Sequence, residues 1–336
     1  MRLTLARLAM ALMLLAGCDT KLEADPDVLV SDQGVDQIAP DQGGGPDLTV
    51  ADGPLPTAYK VAALQYNETD QSSVSACTSA TDGTCGVVHF VKEAAQQGAK
   101  LVVVPSYATY PSPLLYVASP EALPAVGDAP LTDSRWPADT LVHTMAQTAV
   151  DEQITLAFTA VTAEGNAPNQ SIRNTVLVVD TNGKVLAVHN VFQYMSGSEP
   201  WATEGTSLAT SFYDSPIGKV GLLANADVQC IVTGMIVTTD CTQHARDMLL
   251  AFTQEKPDVV LLLTKWIGAA SPKWQALAVF STVATAGLDA WVIAANQRQE
   301  PWGNGGGMWR PDGTEERTVK SAVPTVVYAD LPLKQQ

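Results

Sequence analysis

The chain has 336 residues, 46% of them hydrophobic, which allows one large domain or two ordinary ones with a substantial core. Its formal net charge of -16 and the lack of any basic cluster exclude a phosphate-neutralising surface, so no nucleic-acid partner is expected. The charge is uneven: between Asp19 and Thr57 stand nine acids and a single base, Lys21.

The N-terminus reads as a targeting signal. Arg2 and Arg7 precede the apolar run "LAMALMLLAG", which is too short for a permanent span and suits a signal-peptide core. It ends in "LAGC", Leu15 to Cys18, the pattern of a bacterial lipobox. Residues 1–17 are thus expected to be removed and Cys18 lipidated. At roughly 0.8 kcal/mol per buried CH₂, several acyl chains make a stable membrane anchor. The expected location is the bacterial cell envelope, facing the periplasm or the cell surface. Asp19 resembles an inner-membrane retention signal, but inner and outer membrane both stay open.

Residues 18–57 follow as a tether. The segment repeats Asp-Gln at positions 32, 36 and 41, is rich in Gly, Pro and Asp, and has no aromatic residue. It cannot bury enough surface to offset its ordering entropy, so it is expected to be disordered. Calcium binding by the aspartates is the alternative, although the regular Gly-Asp spacing of calcium repeats is absent.

Ordered sequence begins near Tyr59 and gives a domain over 58–336. "YKVAALQY" predicts a strand, "VVHFVKEAAQQG" a helix with a glycine stop, and "AKLVVVP" a fully apolar strand. "DTLVHTMAQTAVDEQ" predicts a helix and "ITLAFTAVT" a strand. "RNTVLVVDTNGKVLAVHNVF" predicts a hairpin turning at Asn182-Gly183. "GKVGLLANAD" is a buried strand whose polarity jumps at Asn225 and Asp227. A helix before Pro257, the strand "DVVLLLT", a helix over 272–287, the strand "AWVIAANQ" and a hairpin around Asp312-Gly313 complete the chain. Apolar strands alternating with amphipathic helices predict a layered α/β domain with a mixed sheet.

Besides Cys18 there are four cysteines, an even count in an exported protein. Two local disulfides are expected, Cys77–Cys85 and Cys230–Cys241. No CxxC occurs and the four histidines are scattered, so neither a metal site nor a cofactor is expected.

The order of segments resembles the nitrilase, or carbon-nitrogen hydrolase, superfamily over about residues 59–330. "VAALQ" matches its opening strand, and "EAAQQGAKLVVVP" the helix, turn and strand that end in Pro-Glu. "NTVLVVDTNGKVLAVHNVF" matches the hairpin that delivers a lysine, and "GKVGLLANAD" the strand and turn that carry a cysteine. "DVVLLLTKW" and "AWVIAANQ" match two later core strands, and "GGGMWRPDG" the terminal hairpin. "SEPW" and "TKWIGAASP" look most like the biotinidase and vanin (pantetheinase) branch. The resemblance implies a four-layer α-β-β-α sandwich and, by analogy alone, a homodimer.

It also implies an amide or nitrile hydrolase using a cysteine nucleophile, a glutamate base and a lysine that stabilises the oxyanion. Here the glutamate position falls on Ser106, the lysine on Val191 and the cysteine on Asn225. A serine is no general base at neutral pH, a valine donates no hydrogen bond, and an asparagine forms no thioester. The expectation is a pseudoenzyme that binds a small amide-type ligand or a partner. Two alternatives stand beside it: an amide hydrolase with a rearranged site, for instance a Ser106/Lys265 couple, and a scaffold with no ligand. Candidate pocket residues are Ser106, Tyr107, His189, Asn225, Lys265 and Trp266, with Tyr110 as a further aromatic.

Overall fold

The computed structural model describes residues 58–66, 73–77, 83–109, 120–166, 168–191, 202–224, 227, 247–248, 250–265, 289–297, 306–318 and 323–334. In chain order the elements are β1 (Tyr59–Gln65), α1 (Thr84–Gln96), β2 (Leu101–Val103), β3 (Glu121–Ala122), α2 (Leu141–Asp151), β4 (Thr155–Glu164), β5 (Ser171–Val179), β6 (Val185–Asn190), β7 (Phe212–Ser215), β8 (Gly218–Ala224), β9 (Val259–Thr264), β10 (Trp291–Asn296), β11 (Gly307–Trp309), β12 (Glu315–Thr318) and β13 (Thr325–Leu331). Residues 250–255 are also helical.

The strand order is β6-β5-β4-β2-β1-β10-β9-β8-β7. β1, β2 and β4, largely buried along their lengths, pair in parallel, as do β8, β9 and β10. Strands buried on both faces suit sheets covered on both sides. At the centre, among the described residues, β1 meets β10 only through the pair Gln65 and Asn296. That short contact divides the strands into two half-sheets. Their facing surfaces share one core, which joins Ala63, Val103 and Val176 of one half to Leu222, Leu261 and Ile293 of the other.

Helices cover the outer faces. α1 and α2 bury Val87, Val91 and Met145 against Leu64, Leu156 and Leu177. On the far side Met248 and Phe252 pack on Leu223, Leu262 and Val292. The layers are helix, sheet, sheet, helix, the expected four-layer sandwich. Gly86 sets the approach of α1 to β1, because a Cβ there would stand 2.0 Å from the Tyr66 hydroxyl oxygen. The disulfide Cys77–Cys85 forms and pins the start of α1 to a short 3-10 turn at Ser75–Cys77. An eight-residue loop is worth roughly 2–3 kcal/mol in the chain-entropy model. Cys230 and Cys241 lie outside the described residues.

The hairpin turns where expected: Gly183 takes a φ of 75°, and the Asp180 carboxylate accepts from the Asn182 and Lys184 amides. Three strands were not anticipated, the first being the two-residue β3, which pairs in parallel with β4. β7 pairs antiparallel with β8, and β13 runs antiparallel along the whole of β1, from Tyr59↔Leu331 to Gln65↔Thr325. β13 is only half-buried over most of its length, which blurs the alternation that marks a strand.

Glu121 anchors α2. Its carboxylate accepts from the Leu141 and Val142 amides at 2.7 and 2.9 Å, while the Thr140 hydroxyl caps His143 at 3.3 Å. Burial raises the Glu121 carboxyl above its usual 4.5, more than those two donors pull it down. The folded state therefore holds a proton that the unfolded chain has already lost. This contribution is full below pH 4.5 and disappears as pH rises through the folded value. Paired denaturation curves should accordingly show the stability difference between Glu121→Gln and wild type moving toward the variant as pH rises from 4.5. A difference that stays constant with pH contradicts this linkage.

Candidate functional site

The apolar strands end in polar residues on one side of the domain. Gln65 closes β1, Ser106 follows β2, Thr264 and Lys265 end β9, and Asn296 and Gln297 end β10. In parallel α/β sheets the carboxyl ends of the strands are where ligands bind. All of these residues except the half-buried Lys265 are almost fully buried. Thr264 donates its hydroxyl to the Asn296 side-chain oxygen at 2.8 Å, tying β9 to β10. The ladder continues one residue further, because the Gln297 amide donates to the Thr264 carbonyl at 3.1 Å.

Among the described residues, the buried polar atoms at these ends that find no hydrogen-bond partner include Ser106 Oγ and both side-chain amide atoms of Gln297. An unsatisfied buried group costs about 1–3 kcal/mol, so this is an expensive place to keep them. Next to Ser106, Tyr107 holds a left-handed φ of 58°. That conformation costs a bulky residue on the order of 1–3 kcal/mol. It is secured by the Tyr107 amide, which donates to Thr159 Oγ1 at 2.9 Å, and by the Tyr107 side chain packing on Val161. Tyr107 thus stands in the core beside Leu141 of α2 and Ile172.

A second polar group lies between the half-sheets. His189 on β6 approaches Ser211 Oγ with Nδ1 at 2.9 Å and Asp227 Oδ2 with Nε2 at 2.7 Å. The same Asp227 oxygen accepts from the Ala224 amide at 3.0 Å, at the end of β8. With the Asp227 carboxylate accepting, Nε2 carries the proton and Nδ1 accepts from the Ser211 hydroxyl. Ser211, His189 and Asp227 are all 0% exposed. The contacts have the lengths of a Ser-His-Asp relay, but here the three groups lie in the core and satisfy one another.

Val191 is 3% exposed and packs in the apolar core between the half-sheets, its amide donating to the Asn174 carbonyl at 2.9 Å. Asn225, Trp266 and Tyr110 lie outside the described residues. The structure thus gathers Ser106, Gln297 and Lys265 at the strand ends, and sets His189 apart in a buried hydrogen-bond chain. Sequence reasoning did not single out Ser211 or Gln297. A histidine inside an apolar strand, and an acid just past the end of another, were the available signals for the chain. Ser211 had none. Among the described residues no group of three or more His, Cys, Asp or Glu is placed to hold a metal ion.

Solved structures with the same fold carry a known chemistry. One is an amidase variant from Nesterenkonia sp. AN1, with the acetamide moiety of fluoroacetamide covalently added at its active-site cysteine. It matches with a TM-score of 0.59 at 17% identity, over 83% of this chain and 92% of the amidase. Saccharomyces cerevisiae Nit3, a member of branch 10 of the nitrilase superfamily, matches with a TM-score of 0.59 at 14% identity, over 82% of this chain and 90% of Nit3. At these identities the likeness concerns the fold. A comparison with curated proteins finds no match. The family model for carbon-nitrogen hydrolases matches residues 60–228, half of the chain, and includes β1, β2, the β5–β6 hairpin and β8. The chain belongs to the carbon-nitrogen hydrolase family.

Proposed function

We propose that this chain is a non-catalytic carbon-nitrogen hydrolase, held in the bacterial envelope by a lipidated Cys18, that binds a small amide-type ligand at its strand ends. The observation that carries the reading is Ser106, fully buried after β2 at the position where the family resemblance puts the glutamate base. A hydroxyl cannot take a proton from a nucleophile at neutral pH. Val191 supports it, since an apolar side chain fills the lysine position and offers no donor to an oxyanion. Asn225, at the cysteine position, adds a side chain that forms no thioester. The unpartnered polar atoms of Ser106 and Gln297 favour a binding role over a bare scaffold.

A rearranged amide hydrolase is the second reading, and the Ser211–His189–Asp227 distances are the observation in its favour. Against it, the three side chains already pair with one another inside the core, whereas Ser106 Oγ has no partner among the described residues. On the first reading the chain is a brace across the half-sheets, with one member on β6, one before β7 and one after β8.

The mature full-length protein should not turn over pantetheine-like or biotinyl amides, the substrates suggested by the biotinidase and vanin resemblance. Ser106→Glu, Val191→Lys and Asn225→Cys should each fail to restore turnover, because catalytic groups act as a unit. Only the triple variant combines base, oxyanion donor and thiol. Wild-type turnover that Ser106→Ala or Lys265→Ala abolishes would overthrow the non-catalytic reading.

A fluorophosphonate probe should leave Ser211 unlabelled in the folded protein, and stoichiometric labelling there would establish the rearranged hydrolase instead. As a brace, His189→Leu should cost about 3–5 kcal/mol, because it takes the imidazole donor from the buried Asp227 carboxylate. Ser211→Ala should cost only ~1 kcal/mol. Equal small losses in denaturant would contradict the brace. For the anchor, Cys18→Ala should leave the membrane fraction, whereas unchanged membrane fractionation would rule out lipidation at that residue.

A further inference from the structure

We infer that Gln297 selects the ligand of the strand-end site by pairing its carboxamide with an uncharged carboxamide or ureido edge; this rests on the binding role proposed above. Ile293 and Ala295 of β10 lie in the core between the half-sheets. Side chains alternate along a strand, and the ladder runs on through the Gln297 amide, so Gln297 follows them on the inner side, at the mouth of that core. It is 1% exposed, and both its Oε1 and its Nε2 lack partners. Other buried polar atoms in this state, such as Trp136 Nε1 and Tyr213 OH, are single orphans. Among the described buried side chains, Gln297 leaves both a donor and an acceptor side by side on one planar group.

The complement of such a group is another planar group with an N–H beside a C=O, joined by two antiparallel hydrogen bonds. A carboxylate would meet the Nε2 protons but set its second oxygen against Oε1. An ammonium would meet Oε1 but crowd the Nε2 protons. In a buried site both mismatches leave a charge or a dipole unpaired, and this is how polar pockets reject near-isosteres. Lys265, the neighbouring cation at the end of β9, is already engaged in an interaction of its own. Ser106 Oγ supplies a second contact. It follows β2, which lies two strands from β10, a backbone separation of roughly 10 Å at sheet spacing. A small, neutral, extended molecule with the amide edge at one end fits this pair.

The test is thermal shift on the mature full-length protein with propionamide, and with propionate and propylamine as charged probes of equal size. Wild type should show a saturable rise in Tm with propionamide alone. Gln297→Leu, which removes both polar atoms at similar volume, should fold with an unchanged or higher Tm and bind propionamide at least tenfold more weakly. Ser106→Ala should weaken binding less. If Gln297→Leu binds propionamide as wild type does, or if propionate binds wild type as well as propionamide, the inference falls and the binding role stands. If wild type responds to none of the probes up to their solubility, buried water satisfies these groups, and both the inference and the binding role fall.

Discussion

The contact between the two half-sheets governs this domain. Among the described residues β1 and β10 share one register pair, so the ladder itself holds the halves together only weakly. What joins them is the apolar surface they bury against one another, with valine, leucine and isoleucine entering from both sides. Each such side chain is worth about 1.5–3 kcal/mol when fully buried. The Ser211–His189–Asp227 chain adds the polar element of that interface. It reaches from β6 to the residues flanking β7 and β8 and fixes the end of β8 through the Ala224 amide. Position 225, where the family resemblance places the nucleophile, comes directly after that fixed point.

On the proposed non-catalytic reading, this arrangement accounts for how the fold would stand without its chemistry. A catalytic lysine or glutamate at the mouth of an apolar core is an expense that packing does not require. Replacing a buried ionic group by an apolar one of fitting volume is often neutral or stabilising. Val191 illustrates the exchange, since it merges into the core between the half-sheets. Strain of the kind that function retains is still present one residue from Ser106, where Tyr107 keeps its left-handed backbone. Unpartnered polar atoms likewise remain in Ser106 and Gln297. Packing alone selects against both features, so their presence together at the strand ends is consistent with a site that still meets a ligand.

Much of the architecture was legible in the chain. Unbroken apolar runs such as "LVVV" and "VVLLL" mark strands covered on both faces, and Asn182-Gly183 marks the hairpin. The roles assigned to Ser106 and Val191 came only from the family resemblance, not from any pattern in the chain itself. The helix α1 begins earlier than its apolar periodicity suggests, at Thr84, because the disulfide at Cys85 holds its first turn. β7 and β13 were not legible: a four-residue strand is too short to show a period, and a half-buried strand shows it weakly. The buried chain was illegible for another reason. Ser211, His189 and Asp227 are distant in sequence and meet only because two half-sheets fold onto each other, which no local pattern records.

The most direct measurement is intact-protein mass spectrometry of the mature chain, acid-quenched during incubation with an activated acyl substrate such as p-nitrophenyl acetate. A carbon-nitrogen hydrolase that works through a nucleophile accumulates one acyl group per molecule. The account predicts an unchanged mass, because a serine stands at the position of the glutamate base, Ser211 is held in the buried hydrogen-bond chain, and position 225 holds an asparagine where the family resemblance places a thiol. A single stoichiometric acyl adduct that maps by peptide sequencing to Ser106, to Ser211 or to the residues following β8 would contradict it.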